Sequence, residues 1–360
     1  MNSNPLRELA HHGQSVWLDY IERDFLARGE LARLVVEDNV TGVTSNPAIF
    51  EKAIAGGAAY RDALAALAGR PSAEAVETLM VEDIRHACEV LAPVHARTDM
   101  RDGFVSIEVS PELAHDEAAT IAAALRLSRR IARPNLMIKV PGTPAGLRAT
   151  EELIARGLSV NVTLLFAVPT YRNVVAAYER GLARRHAAGL PLHGVASVAS
   201  FFVSRVDTLV DKLLADKGET GAALAGRAAI ANAKLAYRVY QSQQASRDWQ
   251  TLAAAGAQPQ RLLWASTGTK SPLMSDVIYV DELIGPDTVN TVPPATLDAF
   301  RDHGRARTTL TAGMDEADAT MKALAGIGIS IDQVTDTLLE EGLLLFQQAY
   351  QRLLGAVGPT

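Results

Sequence analysis

Lys139 lies near the end of a run, residues 135–140, in which Leu136, Ile138 and Val140 fall on one face of a strand and Met137 and Lys139 on the other. If that second face is interior, the ammonium is enclosed. A buried lysine can fall from a pKa of about 10.4 toward 7, at a cost of roughly 4 to 5 kcal/mol. The amine so released is the usual preparation for Schiff-base chemistry. A lone strand-end lysine has a blander explanation, a stem that reaches back to solvent. This one has company. Asp19 and Glu108 end other strand-like runs with the same inward parity, so an acid, a base and an amine nucleophile are available together. Asn46, Asn161 and Thr163 share that placement. Singly, Asn46 reads as a helix cap, Thr163 as a β-branched strand residue, and the two carboxylates as salt-bridge partners of Lys139.

The elements that must bring these side chains together recur in a fixed order. Strand patterns lie at 15–21, 42–47, 104–111, 136–140, 159–166, 194–203 and 261–267, with a weaker one at 288–293. The first puts Trp17 and Asp19 on one face, and the second does so with Thr44 and Asn46. The sixth places Ser200 and Phe202 on one face with Arg205 just beyond. Helical patterns separate the strands, including one at 22–38 and a long one at 58–96 with a break at 69–72. Alternating strand and helix implies a parallel sheet buried on both faces, so a polar inner face cannot be a solvated one. A (β/α)8 barrel resolves the conflict, because strand C-termini and helix N-termini rim one open mouth. A doubly wound open sheet is the competitor, and its Gly-x-Gly-x-x-Gly turn is missing. The chain reads as a single barrel domain over 1–360. Its extra length is a helical insert at about 206–253 and a helical tail at about 294–356. In the last helix Ile331, Val334, Leu338, Phe346, Tyr350 and Leu353 pack inward, against the core.

Composition narrows the function. With 360 residues, 48% of them hydrophobic, the chain can bury a large core; a formal charge of −6 disfavours nucleic acid as a partner. One cysteine, Cys88, cannot pair within the chain, and neither a secretory leader nor a membrane-length apolar run is present, which points to the cytoplasm. No His-x-His or His-Glu-x-x-His pair suggests a metal, and no Walker loop or Gly-x-Ser-x-Gly elbow occurs. Arg205, Ser266 and Lys270 sit at late strand ends, where barrels often hold phosphate.

Six motifs in order carry a more specific signal: Trp17-Leu18-Asp19, Gly42-Val43-Thr44-Ser45-Asn46-Pro47, Val105-Ser106-Ile107-Glu108-Val109, Ile138-Lys139-Val140-Pro141, Asn161-Val162-Thr163-Leu164-Leu165-Phe166 and Trp264-Ala265-Ser266-Thr267-Gly268-Thr269-Lys270. Between about residues 15 and 293 the chain resembles the transaldolase family in its longer bacterial form. The resemblance implies a (β/α)8 barrel, a cofactor-free Schiff-base mechanism, and transfer of a dihydroxyacetone unit between sugar phosphates of the pentose phosphate pathway. It makes Lys139 the Schiff-base lysine, Asp19 the base for the donor's C4 hydroxyl, and Glu108 an acid/base acting through a water near Thr163. Asn46 and Asn161 would hold hydroxyls of the three-carbon unit, Thr44 and Phe202 line the pocket, and Ser200, Arg205 and Ser266 contact substrate and phosphate. Where the shorter branch has an arginine soon after the Ser266-like serine, this chain has Gly268 and then Lys270. Two alternatives are a fructose-6-phosphate aldolase, a shorter lyase without a glutamate in the Glu108 role, and a silent sugar-phosphate-binding barrel. Oligomeric state, homo-oligomer included, is not encoded legibly.

Overall fold

The structure, a computed structural model, describes residues 4–358. Its centre is a closed barrel of eight parallel strands in sequence order. They are β1 (Gln14–Leu18), β2 (Val40–Val43), β3 (Val105–Glu108), β4 (Leu136–Pro141), β5 (Ser159–Leu165), β6 (Ser197–Phe202), β7 (Arg261–Ala265) and β8 (Thr288–Val292). The expected strands are all present, including the weak eighth, which pairs with both β7 and β1 to close the ring. Polar residues at the strand ends start the following helices. Asn46 Oδ1 accepts from Ile49 N at 3.0 Å before the helix Pro47–Gly56, and Thr143 Oγ1 accepts from Gly146 N at 3.0 Å before Pro144–Ala155. One short stretch thus ends a strand, caps a helix and rims the mouth.

Two helical segments are more broken than their periodicity predicts. The 22–38 pattern divides into Arg23–Ala27 and Glu30–Glu37 around Gly29, whose φ of 73° is in the left-handed region. The insert at 206–253 is four helices, Ser204–Leu214, Gly218–Leu224, Ala228–Gln244 and Arg247–Ala254. Periodicity reports a buried face, and these pieces keep one across each turn.

The barrel floor is filled and tied. Trp17 is fully buried, and a Cβ on Gly42 would stand 2.4 Å from its ring, so the indole fits only over a glycine. Its Nε1 donates to Asp102 Oδ1 at 2.7 Å, while Thr41 Oγ1 donates to Oδ2 at 2.9 Å and Ser15 Oγ also donates to Oδ2. Arg261, from β7, lies 3.5 Å from Asp102 and donates to Ser15 Oγ at 2.8 Å. One carboxylate therefore joins β1, β2 and β7 below the site.

The last helix, Ile331–Val357, buries Val334, Leu338, Phe346 and Leu353 as expected, with Ile331 and Tyr350 partly covered. What it covers was not legible: it lies over the mouth. A Cβ on Gly342 would be 3.0 Å from Leu164 Cδ2 and 3.8 Å from Arg205 Nη1. Its far half is fixed by the paired contact of Arg352 with Glu51 and by Ser72 Oγ donating to Gly358 O at 2.6 Å. Among the described residues, no helix is long and apolar enough to cross a membrane.

The floor network predicts a stability effect without chemistry. Replacing Asp102 by Ala leaves the Arg261 guanidinium buried and three donors unmet, so urea unfolding should show a loss of about 3 to 5 kcal/mol. A loss below about 1 kcal/mol, within the ordinary surface range, would mean that the floor is not held this way.

Candidate active site

Strand register brings the carboxylate and the amine together. Glu108 on β3 pairs with Lys139 on β4, and Lys139 pairs with Asn161 on β5, so the three side chains form one row around the inner wall. Lys139 is 4% exposed. Its Nζ donates to Ser45 O at 3.1 Å and lies 3.7 Å from Glu108 Oε2, with the Phe346 ring centroid 5.9 Å away. The Glu108 carboxyl is pushed up to about 7, chiefly by burial; the Lys139 ammonium opposes the rise and Asp19 adds to it. Its Oε2 accepts no hydrogen bond from the described residues, and neither does the buried hydroxyl of Thr163 find a partner. These are two polar atoms that a water could satisfy.

Asp19, just past β1, is only partly buried, and its carboxyl is also raised: burial dominates, and Lys139 and a hydrogen bond from Thr44 oppose it. Thr44 Oγ1 lies 2.7 Å from Asp19 Oδ1 and 2.7 Å from Thr291 Oγ1. A threonine has one hydroxyl proton, so when Thr44 gives it to Asp19, Thr291 must donate to Thr44. That chain orients one carboxylate oxygen and leaves the other for the pocket. A second chain sits beside it, in which Ser200 Oγ donates to Asn161 Oδ1 at 2.6 Å and Asn161 Nδ2 donates to Ser106 Oγ at 3.1 Å.

The cavity at the mouth is about 180 Å³. Nine of the twelve residues expected at the site line it: Asp19, Thr44, Asn46, Lys139, Ser200, Phe202, Arg205, Ser266 and Lys270. Glu108, Asn161 and Thr163 do not, and form the wall behind it. Thr291 and Phe346 line it as well. Sequence parity could have nominated Thr291, two residues past Val289 on the weak strand; nothing in the sequence puts Phe346 there. Three other cavities are larger: one of about 470 Å³ opens beside β3 and is lined by Glu108 together with Glu77, Arg126 and Arg130, while those of about 640 and 190 Å³ lie among the outer helices.

One side of the cavity is cationic. Arg205 lies over the Phe202 ring at 5.4 Å, and burial lowers the guanidinium's pKa while Glu341 pulls it back. Among the described residues it makes no hydrogen bond or ion pair within range. Ser266 at the end of β7 has a φ of 56°, unusual for a serine, which turns its carbonyl toward Ser204 N (3.0 Å) and its hydroxyl toward Ser204 Oγ (3.0 Å). These contacts hold the start of the helix Ser204–Leu214, the helix that carries Arg205. Lys270 is exposed at the edge.

Fold and site together define a (β/α)8 barrel whose inner wall carries a buried amine and two carboxylates beneath a basic rim. The chain belongs to the transaldolase/fructose-6-phosphate aldolase family, whose model matches residues 16–357. It is 50% identical to "Transaldolase 1" of Streptomyces coelicolor over 98% of this chain and 93% of that one. Identity is 48% to "Transaldolase 2" of Nostoc sp., over 99% and 97% respectively. For "Transaldolase" of Acidothermus cellulolyticus it is 50%, over 99% and 96%.

The raised Glu108 carboxyl has a consequence for stability. Between its unfolded value near 4.5 and its folded value of about 7, the folded state keeps a proton that the unfolded chain has lost. Its contribution is therefore full below about 4.5 and is lost as pH rises through about 7. Urea unfolding from pH 5 to pH 8 should show this fall, and Glu108→Gln should flatten it by an amount on the order of 1 to 3 kcal/mol. Identical pH slopes for the two proteins would place Glu108 at an ordinary carboxylate value.

Proposed function

We propose that the protein acts as a transaldolase, moving a dihydroxyacetone unit from sedoheptulose 7-phosphate to glyceraldehyde 3-phosphate through a Schiff base on Lys139. Erythrose 4-phosphate and fructose 6-phosphate are the products, as in the non-oxidative pentose phosphate pathway. The observation that carries this reading is the buried Lys139 amine, 3.7 Å from Glu108, at the base of a cavity that Asp19 also lines. Family membership and whole-length similarity to proteins named transaldolase support it. A single barrel domain in the cytoplasm fits the reading, and no cofactor enters its steps.

The steps follow from the positions. Lys139 Nζ attacks the donor's C2 carbonyl, and the carbinolamine loses water with Glu108, near neutrality, as the group that can give and take a proton. Asp19 takes the proton of the C4 hydroxyl. The C3–C4 bond breaks, its electrons move to the iminium nitrogen, and the aldehyde leaves. The neutral enamine then attacks the acceptor's carbonyl carbon through C3, Asp19 returns its proton to the new hydroxyl, and water releases the product from C2. Asn46 and Ser200, which line the cavity, take hydroxyls of the three-carbon unit in this reading; Asn161, bonded to Ser106 and Ser200, orients Ser200. Arg205, Ser266 and Lys270 are the phosphate end. A lyase is disfavoured by Glu108 and by length. A silent barrel is disfavoured because it gains nothing from an enclosed amine.

Borohydride added with fructose 6-phosphate and no acceptor should inactivate the protein and label Lys139, and Lys139→Arg should abolish both labelling and transfer. Steady release of free dihydroxyacetone as the main product would favour the lyase, and sugar binding without label the silent barrel. For the phosphate end, Arg205→Ala should raise KM for phosphorylated acceptors about 10- to 100-fold, the worth of a charge-assisted contact. Unphosphorylated glyceraldehyde should be little affected; equal losses would take Arg205 out of that role.

A further inference from the structure

The chemical groups come from strands, but one wall of the cavity comes from the far end of the chain. Phe346 is 6% exposed and lines the mouth cavity with the polar Asp19, Thr44, Asn46, Lys139 and Ser200 and the apolar Phe202, Ala265 and Pro293. Just before that position the same helix leaves Leu344 and Leu345 about half exposed, so the helix is not simply burying its apolar residues. Its approach depends on Gly342, seated against Leu164 in the β5 segment where the chain takes a φ of 59° and the register with β6 shifts. Glu108 does not line this cavity. The amine therefore has two sides, one toward Glu108 and one toward the mouth, and Phe346 stands on the second.

We propose that Phe346 is the water-excluding wall of the site and sets how the three-carbon enamine on Lys139 divides between transfer and loss. This rests on the Schiff-base reading above. Loss as free dihydroxyacetone needs a proton at C3, which turns the enamine back to an iminium; water then adds at C2, the nitrogen takes a proton, and the C2–N bond breaks to give the ketone and the amine. Transfer replaces the C3 proton with the acceptor's carbonyl carbon, so the two fates compete at one atom. Water for hydrolysing the final iminium is served from the Glu108 side. Solvent that would protonate C3 comes through the mouth, where the ring of Phe346 occupies its path. An aldehyde bound between Arg205 and Asp19 enters from the cationic side of the cavity and is not obstructed.

The test measures free dihydroxyacetone released per unit transferred, with fructose 6-phosphate as donor and erythrose 4-phosphate as acceptor. Phe346→Ala should raise that ratio about 10-fold, the equivalent of some 1.4 kcal/mol between the two barriers. Phe346→Leu, which keeps an apolar side chain but not the ring's breadth, should raise it less and in the same direction; it decides alone if Phe346→Ala does not fold by circular dichroism. An unchanged ratio in the folded variants would overturn the proposal, even if both activities fall. Borohydride labelling of Lys139 in the unaltered protein separates the two levels: without label the Schiff-base reading itself fails, and with label but an unmoved ratio only the role of Phe346 does.

Discussion

Keeping an amine and a carboxyl together inside a closed barrel is the constraint on which the rest depends. Each ion costs several kcal/mol to take out of water, and their attraction returns that only in a fixed geometry. At 3.7 Å Lys139 and Glu108 are within electrostatic range without being locked in a short hydrogen bond, and burial leaves Glu108 with a pKa of about 7. A carboxyl poised there can exchange protons in both directions at neutral pH. A tighter bidentate pair would favour the ions and give up that readiness. The fixed geometry comes from register, since Glu108, Lys139 and Asn161 are successive partners on β3, β4 and β5.

Much of this was legible because strand parity is a two-valued signal. Once Lys139 faces inward, the same alternation decides the face of Asp19, Thr44, Glu108, Asn161 and Ser200, and a closed ring leaves one interior for all of them. Asn46 was legible for another reason, since a polar residue before proline is both strand end and helix cap. Alternation does not rank positions within a face. Ser106 and Thr291 share the parity of their neighbours, and only their hydrogen bonds in the fold distinguish them. Long-range placement was not legible at all. Helical periodicity marks Phe346 as buried without saying against what, and nothing local links Asp102 to Arg261, which lie 159 positions apart in the chain.

Charge is organised against the protein's average. The whole chain is acidic, and most of its arginines on outer helices are paired with carboxylates, as in Arg126 and Arg130 on Glu77 or Arg301 on Asp38. Arg205 differs by its lack of such a partner and by its stacking on Phe202. A partly buried guanidinium without a hydrogen-bonded counterion is costly in the free protein, and a phosphate group would offset that cost on binding. The acidic surface then matters less than the cations at the mouth, Arg205 and Lys270, because at physiological salt a charge more than about 8 Å away is largely screened.

Rigidity and access are assigned to opposite ends of the barrel. At the floor, Trp17, Asp102 and Arg261 fill the interior with mutually bonded side chains from distant parts of the chain. At the mouth, a carboxylate must keep one oxygen free, which the chain from Thr291 through Thr44 to Asp19 arranges by donor count alone. The mouth cannot be sealed by strands, since their ends carry the chemistry and the helix starts that follow them. Covering it takes an element that no βα unit supplies, and the C-terminal helix, anchored at Glu51 and Ser72, is free of any strand's register and can lie across all of them. Under the proposed role of Phe346, the C-terminal helix serves the reaction: a barrel that must hold a reactive carbon away from water while one aldehyde leaves and another arrives needs a cover as well as a site.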